Sequence, residues 1–191
     1  MFKAIYFVGF AAMLVIRLRH RWLNRTNQIA ESRRDVLEMP LLAQAFIGMA
    51  VLPQIYVFTT KLDFADYDLP TRAGWIGAVA FVLALWLLWR SHADLGRNWF
   101  QTLELRLGHE LVTDGVFKRV RHPMYAAFFL WGLAQPLLLH NWVAGWSHLA
   151  SFTLLYLFRV RREERMMLGR FGEEYREYTS RTGRLIPPLP W

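Results

Sequence analysis

The sequence predicts an all-α integral membrane protein with five transmembrane helices, and three observations carry that prediction. Of its 191 residues, 54% are hydrophobic, a share that leans toward the membrane class. The apolar residues collect in blocks at 2–16, 39–60, 74–89, 124–140 and 142–158, each near the length a helix needs to cross a hydrocarbon core roughly 30 Å thick. Apart from Lys3, the basic residues stand beside these blocks rather than inside them. At this length the chain is expected to form one domain over residues 1–191, with the first three spans in residues 1–90.

The first block is the shortest, and a cleaved leader is its rival. No small-residue cleavage site follows it, because the apolar stretch runs directly into Arg17, Arg19, His20 and Arg21, so it is expected to stay as a span. Residues 17–38 then form a basic connection lying along the headgroups, with Trp22 as an interfacial anchor. The second block contains Pro53, tolerable in a membrane helix where neighbouring helices satisfy the freed backbone groups. Between the fourth and fifth blocks only His140 and Asn141 remain for a turn, which requires a tight antiparallel hairpin. The charged tail at 159–182 keeps Met167, Phe171, Tyr175 and Tyr178 on one helical face. Pro187, Pro188 and Pro190 then end helical structure.

A net charge of +8 raises the question of nucleic acid, and the location of the charge answers it. Arg17, Arg19, Arg21, Arg25, Arg33 and Arg34 follow the first block, and Arg90, Arg97, Arg106, Lys118, Arg119 and Arg121 lie between the third and fourth. The connection between the second and third blocks instead carries Asp63, Asp66 and Asp68 against Lys61 and Arg72. The positive-inside rule puts the basic connections and the C-terminus in the cytoplasm and the N-terminus outside. The lipid bilayer is therefore the expected partner of the positive charge, not nucleic acid. The chain has no cysteine, which excludes disulfides, thiolate metal sites and a cysteine nucleophile. His20, His140 and His148 lack metal-ligand spacing, and no metal is expected.

Chemistry concentrates in the polar stretch 91–122 and just after the fifth block. Gly108-His109-Glu110-Leu111-Val112-Thr113-Asp114-Gly115-Val116-Phe117 precedes Arg121-His122-Pro123-Met124-Tyr125 at the mouth of the fourth span. Taken alone, Arg121 reads as topogenic charge, His122 as interfacial and Pro123 as a first-turn residue whose missing donor costs nothing. A helix N-terminus there would also offer backbone donors to a carboxylate. Arg159 and Glu163 stand four apart and share a helical face. They read either as a surface ion pair or as the lining of a polar cavity at the membrane boundary. His92 and Asp94 are expected to order the loop rather than touch a ligand, and Trp75, Trp86, Trp89, Trp131 and Trp142 to pack or to sit at the interface.

In combination these segments are specific. Gly-His-x-Leu-Val-x-x-Gly-Val-Phe, then Arg-His-Pro-x-Tyr, a hairpin, Arg159-x-x-x-Glu163-Glu164 and Phe171-Gly172-Glu173-Glu174-Tyr175-x-x-Tyr178 closely resemble the isoprenylcysteine carboxyl methyltransferase family over residues 90–187. The resemblance extends to its compact five-span prokaryotic members through His92-x-Asp94-Leu95-Gly96-x-Asn98-Trp99 and Thr182-Gly183-Arg184-Leu185-x-Pro187. It implies S-adenosyl-L-methionine as methyl donor, S-adenosyl-L-homocysteine as product and O-methylation of the carboxylate of a lipidated, isoprenylcysteine-like acceptor. The catalytic region would be residues 91–187, with the cofactor held by the loop before the fourth helix and by the C-terminal helix. His109, Glu110, Leu111 and Val112 would border the cofactor on one side and His122, Pro123, Met124 and Tyr125 on the other. Glu163 would supply the cofactor-binding carboxylate, and Arg159 would orient the substrate. Phe117 stands where the family usually has tyrosine, so a ring contact survives and a hydroxyl hydrogen bond does not. The family's upstream glutamine has no assigned counterpart, Gln101 being only nearby. The competing readings are a methyltransferase for a phospholipid amine or another small lipophilic acceptor, and a noncatalytic membrane scaffold.

Overall fold

The computed structural model describes residues 1–25, 29–32, 38–99, 104–106 and 110–188. Five long helical segments coincide with the five apolar blocks: α1 (Phe2–Leu23), the pair α2 (Glu38–Phe46) and α3 (Leu52–Phe58), α4 (Thr71–Leu95), α5 (Pro123–Leu139) and α6 (Trp142–Phe171). By length and composition, the segments Glu38–Phe58 and Thr71–Asn98 suit a membrane crossing, and Pro123–Leu139 is a shorter apolar helix. α1 buries Tyr6, Gly9, Phe10 and Met13, a face repeating at three and four residues. Its opposite face leaves Phe7, Val8, Leu14, Val15 and Leu18 exposed, the distribution expected where the surrounding medium is itself apolar.

Small residues set the helix spacing. A methyl group on Gly132 would meet the Leu149 backbone at 3.1 Å, and one on Gly77 would meet Leu137 Cβ at 2.7 Å, so α5 approaches α6 and α4 backbone to backbone. In the interior Phe81 meets Trp131 edge-on, with ring centroids 4.7 Å apart. Of the tryptophans read as packing or interfacial, Trp131 is fully buried while Trp75, Trp86, Trp89 and Trp142 are exposed.

Pro53 is accommodated by a change of helix type. A wide π turn, Ile47–Val51, separates α2 from α3 immediately before it. A proline at position 53 cannot donate to the carbonyl four residues back, at Met49, and its ring crowds that group. The Tyr6 hydroxyl donates to the Met49 carbonyl at 2.9 Å, so the freed acceptor is satisfied from α1.

The α5–α6 hairpin closes on the two residues available. His140 adopts a left-handed conformation with φ 48°. Asn141 caps α6, its Oδ1 accepting from the Val143 and Ala144 amides at 3.1 and 2.8 Å. Its Nδ2 donates to the Leu62 carbonyl and to Asp66 Oδ1, both at 2.7 Å, which ties the hairpin to the acidic connection.

Three features depart from the expected pattern. The fifth span and the first part of the tail are one uninterrupted helix of 30 residues. It stops at Gly172, whose φ of 55° suits a residue without a side chain, and a separate helix, α7 (Glu173–Arg181), follows. One short strand pair accompanies the helices: β1 (Ile29–Ser32) pairs antiparallel with β2 (Glu104–Arg106), so the two basic connections meet. Finally, the chain past α7 runs alongside residues 119–122. The amides of Arg121 and His122 donate to the carbonyls of Gly183 and Arg184 at 2.9 and 3.1 Å. Two backbone donors just before α5 are thus taken by the tail.

Candidate functional site

A cavity of about 490 Å³ opens where the polar half of α6, the mouth of α5, the loop after α4 and the inner faces of α1 and α2 converge. That volume falls within the roughly 300–1,000 Å³ of small-molecule sites. Glu110, Leu111, Val112, Phe117, His122, Pro123, Met124, Tyr125, Arg159 and Glu163 all line it. His109 and Gln101 lie outside the described residues. Residues separated by more than fifty positions are thereby brought onto one surface.

The loop wall is positioned from α4. Asp94 Oδ2 accepts the Val116 amide at 3.0 Å, and Asp94 Oδ1 pairs with Arg90 Nη2 at 2.6 Å. Gly115 makes this possible: its φ is +60°, and a methyl group there would lie 2.6 Å from Asp94 Cγ. Backbone conformation and space both demand glycine. Asp94 therefore orders the loop. From the other side, the Tyr178 hydroxyl on α7 donates to the Phe117 carbonyl at 2.8 Å, which fixes the ring of Phe117, buried and facing the cavity.

Three ionisable side chains form the polar floor. Tyr125 donates its hydroxyl to Glu163 Oε2 at 2.6 Å. His122 stands between two carboxylates, Nδ1 at 3.6 Å from Glu163 Oε1 and Nε2 at 3.3 Å from Glu164 Oε1. With an acceptor at each ring nitrogen, the imidazole is satisfied only when both are protonated. Burial alone would lower the His122 pKa, but its hydrogen bonds to Glu163 and Glu164 outweigh burial and raise it. Burial likewise pushes Glu163 up, and His122, Arg159 and Tyr125 together bring it down to about 2. Its side chain keeps 30% of its surface accessible, and that surface faces the cavity. An ionised carboxylate held by neighbours yet open on one side can still accept hydrogen bonds from a ligand.

Glu164 has a different task. It takes Arg121 Nε at 2.8 Å and the Arg184 guanidinium at 3.0 and 2.6 Å, while Arg121 Nη1 reaches the Thr182 carbonyl at 2.7 Å. Despite burial, these partners and His122 hold its carboxyl well below the usual range. Arg121 is therefore part of the clasp between the tail and the mouth of α5. Arg159, one turn before Glu163, has Nη1 3.9 Å from Glu38 Oε1 at the start of α2 and feels the charge of Glu163.

The His122 bridge predicts a stability optimum in mildly acidic medium. His122 is raised above its ordinary 6.5 in the folded state, so its contribution is complete below 6.5 and lost as pH climbs through the folded value. Glu163 is depressed from 4.5 to about 2, so its contribution is complete above 4.5 and lost as pH falls toward 2. Melting temperature against pH is expected to peak between these limits and to decline on the alkaline side. In His122→Asn that alkaline decline disappears, and a variant retaining it would remove His122 from the explanation.

The sequence reading missed part of the wall. Asn98 and Trp99 enter from the end of α4, and Arg17 and Arg21 enter from α1. Asn98 Oδ1 accepts the Glu110 amide at 3.3 Å. A signal existed for α1: Phe10, Met13, Arg17 and Arg21 recur at three, four and four residues, so the two arginines continue the buried face.

Residues 75–169 match the sequence profile of the Isoprenylcysteine carboxyl methyltransferase (ICMT) family. Protein-S-isoprenylcysteine O-methyltransferase of Schizosaccharomyces pombe is 39% identical over 84 residues, covering 43% of this chain and 35% of that protein. The Saccharomyces cerevisiae protein of the same name is 35% identical over 150 residues, 77% of this chain and 62% of that protein. The Homo sapiens one is 35% identical over 79 residues, 41% and 28% respectively. This chain thus spans less than two thirds of each. The structure of the eukaryotic intramembrane Ras methyltransferase ICMT shares the fold, with a TM-score of 0.54 at 24% identity over 78% of this chain and 50% of that one. From the profile matched along α4 to α6 and the relatives of the same name, this chain belongs over residues 75–169 to the isoprenylcysteine carboxyl methyltransferase family.

Proposed function

We propose that the chain is an S-adenosyl-L-methionine-dependent methyltransferase that O-methylates the carboxylate of a lipidated, isoprenylcysteine-like acceptor at the membrane. The observation that carries this reading is the single cavity shared by the loop 110–117, the mouth of α5 and the Arg159–Glu163 face of α6. The donor set suits the cofactor: an ionised carboxylate at Glu163 for hydroxyl or ammonium groups, the Phe117 ring for a base or sulfonium, and backbone at 110–112. When bound, the cofactor supplies a sulfonium methyl; the acceptor oxygen forms the new O–CH₃ bond as the C–S bond breaks, and the sulfur keeps the electron pair in S-adenosyl-L-homocysteine.

Arg159 orients the acceptor carboxylate as a fixed guanidinium fork. No general base is required, because a carboxylate of reference pKa about 4 is already ionised. What the site contributes is alignment and exclusion of water. Residues 1–90 and 91–187 act as one domain, the first supplying apolar wall and the second the polar floor. Five spans are proposed, with the N-terminus outside and the basic connections and tail in the cytoplasm; cysteines introduced singly at positions 66 and 106 and labelled on intact cells test the orientation.

The test of the activity is direct. Purified protein with methyl-labelled cofactor is expected to label an S-prenylated cysteine carrying a free carboxylate, and calorimetry to give a dissociation constant in the micromolar range, about 8 kcal/mol. No binding of cofactor or product at millimolar concentration would remove the methyltransferase reading. Label transferred instead to a phospholipid amine would replace the acceptor.

A further inference from the structure

The cavity contains a second guanidinium that the proposed methyl transfer does not use. Arg17 lines it from α1, where its place just after the first apolar block made it look like topogenic charge. Its guanidinium carbon lies 5.9 Å from the ring centroid of Trp99 and 5.7 Å from that of Phe128. Among the described residues, no carboxylate stands within ion-pair distance of it. The positive charge that acts on it is Arg159, reaching into the same cavity from α6.

Two guanidiniums acting on each other in a mostly apolar enclosure repel, and an anion between them turns that repulsion into two charge-assisted contacts. The depth of Arg17 indicates which anion. Phe128 is five residues beyond Pro123 on α5, so that ring beside Arg17 lies about 7 Å farther along the helix than its first residue, while Trp99 approaches from the end of α4. The loop 110–117 and the Glu163 carboxylate belong to the mouth. Around Arg17 the wall is apolar apart from Arg21: Phe10, Met13, Leu42, Phe46, Met49 and Phe152. A soluble donor fits the first region, and an anion attached to a hydrocarbon chain fits the second.

We infer that Arg17 is a second carboxylate-binding residue for the methyl acceptor, forming with Arg159 a two-guanidinium clamp whose apolar wall receives the acceptor's hydrocarbon chain. The inference rests on the methyltransferase reading and sharpens it: the acceptor is an anionic amphiphile, and an amine is disfavoured by the two like charges. Arg17 acts on binding and orientation, while the methyl transfer itself remains at the Glu163 end.

The experiment uses the full-length protein in detergent, with N-acetyl-S-farnesylcysteine and its carboxamide as probes and Arg17→Gln and Arg17→Lys as variants. Wild type is expected to bind the carboxylate more tightly than the carboxamide. Arg17→Gln should raise KM for the carboxylate acceptor by about tenfold, reduce the preference over the carboxamide by the same factor, and change affinity for S-adenosyl-L-homocysteine by less than about twofold. Arg17→Lys, which keeps the charge and loses the fork, should recover part of the preference. An equal loss of acceptor and S-adenosyl-L-homocysteine affinity, or an undiminished carboxylate preference in Arg17→Gln, overturns the clamp while the methyltransferase reading stands. If wild type transfers no methyl but shows a carboxylate preference that Arg17→Gln reduces, the clamp stands and the methyltransferase reading fails.

Discussion

Replacing Glu163 by alanine is expected to lower affinity for S-adenosyl-L-methionine and its demethylated product about ten- to a hundredfold, the equivalent of roughly 1.5 to 3 kcal/mol for a lost charge-assisted hydrogen bond. The carboxylate is ionised across the physiological range because its pKa stands at about 2, so wild-type affinity should be flat with pH down to mildly acidic conditions. The variant also removes the acceptor of the Tyr125 hydroxyl and one of the two partners of His122, so some loss of melting temperature accompanies it. Glu163→Gln separates the two effects: it keeps an acceptor for Tyr125 and removes the charge. Calorimetry on both variants, at a temperature where each is folded, decides. Wild-type affinity in both would return Glu163 to a structural role beside His122.

Arg159→Ala has its main effect on turnover, which is expected to fall about a hundredfold, the scale on which a misplaced reacting group costs rate. Affinity for S-adenosyl-L-homocysteine should change little. Arg159→Lys should rescue poorly, because an ammonium lacks the planar fork that holds a carboxylate in one orientation. The structure adds a control. Arg159 stands near Glu38 at the start of α2, so the alanine variant also disturbs a buried carboxylate, and its melting temperature will drop. Glu38→Gln shares that stability loss and leaves the guanidinium in the cavity. Turnover collapsing equally in Glu38→Gln, or S-adenosyl-L-homocysteine affinity collapsing in Arg159→Ala, would reduce Arg159 to half of an ion pair.

How much of this could be read in advance differs between residues, for physical reasons. The helical segments were readable because each is a continuous apolar stretch, and hydrophobicity is summed over neighbours in the chain. The hairpin at His140 and Asn141 was readable because two residues leave one geometry. The break at Gly172 is marked in the sequence only by a glycine between two helical charge patterns, which a helix can also carry in its interior. The β1–β2 pairing was invisible to local pattern, since each strand is short and needs a partner more than seventy residues away.

By itself the sequence determined the class of fold, the apolar segments, the family and most of the polar side chains that line the cavity, because these depend on residue type and on spacing along one helix. The tertiary structure alone decided which of those side chains meet. His122 acquires a raised pKa only because Glu163 and Glu164 approach opposite sides of its ring. The segment leading into α5 is clasped because the tail returns to residues 119–122. Arg17 turns from topogenic charge into cavity wall because α1 packs with that face against α4 and α5. Contacts of this kind join residues distant in sequence, and the free energy of a charge depends on what stands around it in space, which no local spacing encodes.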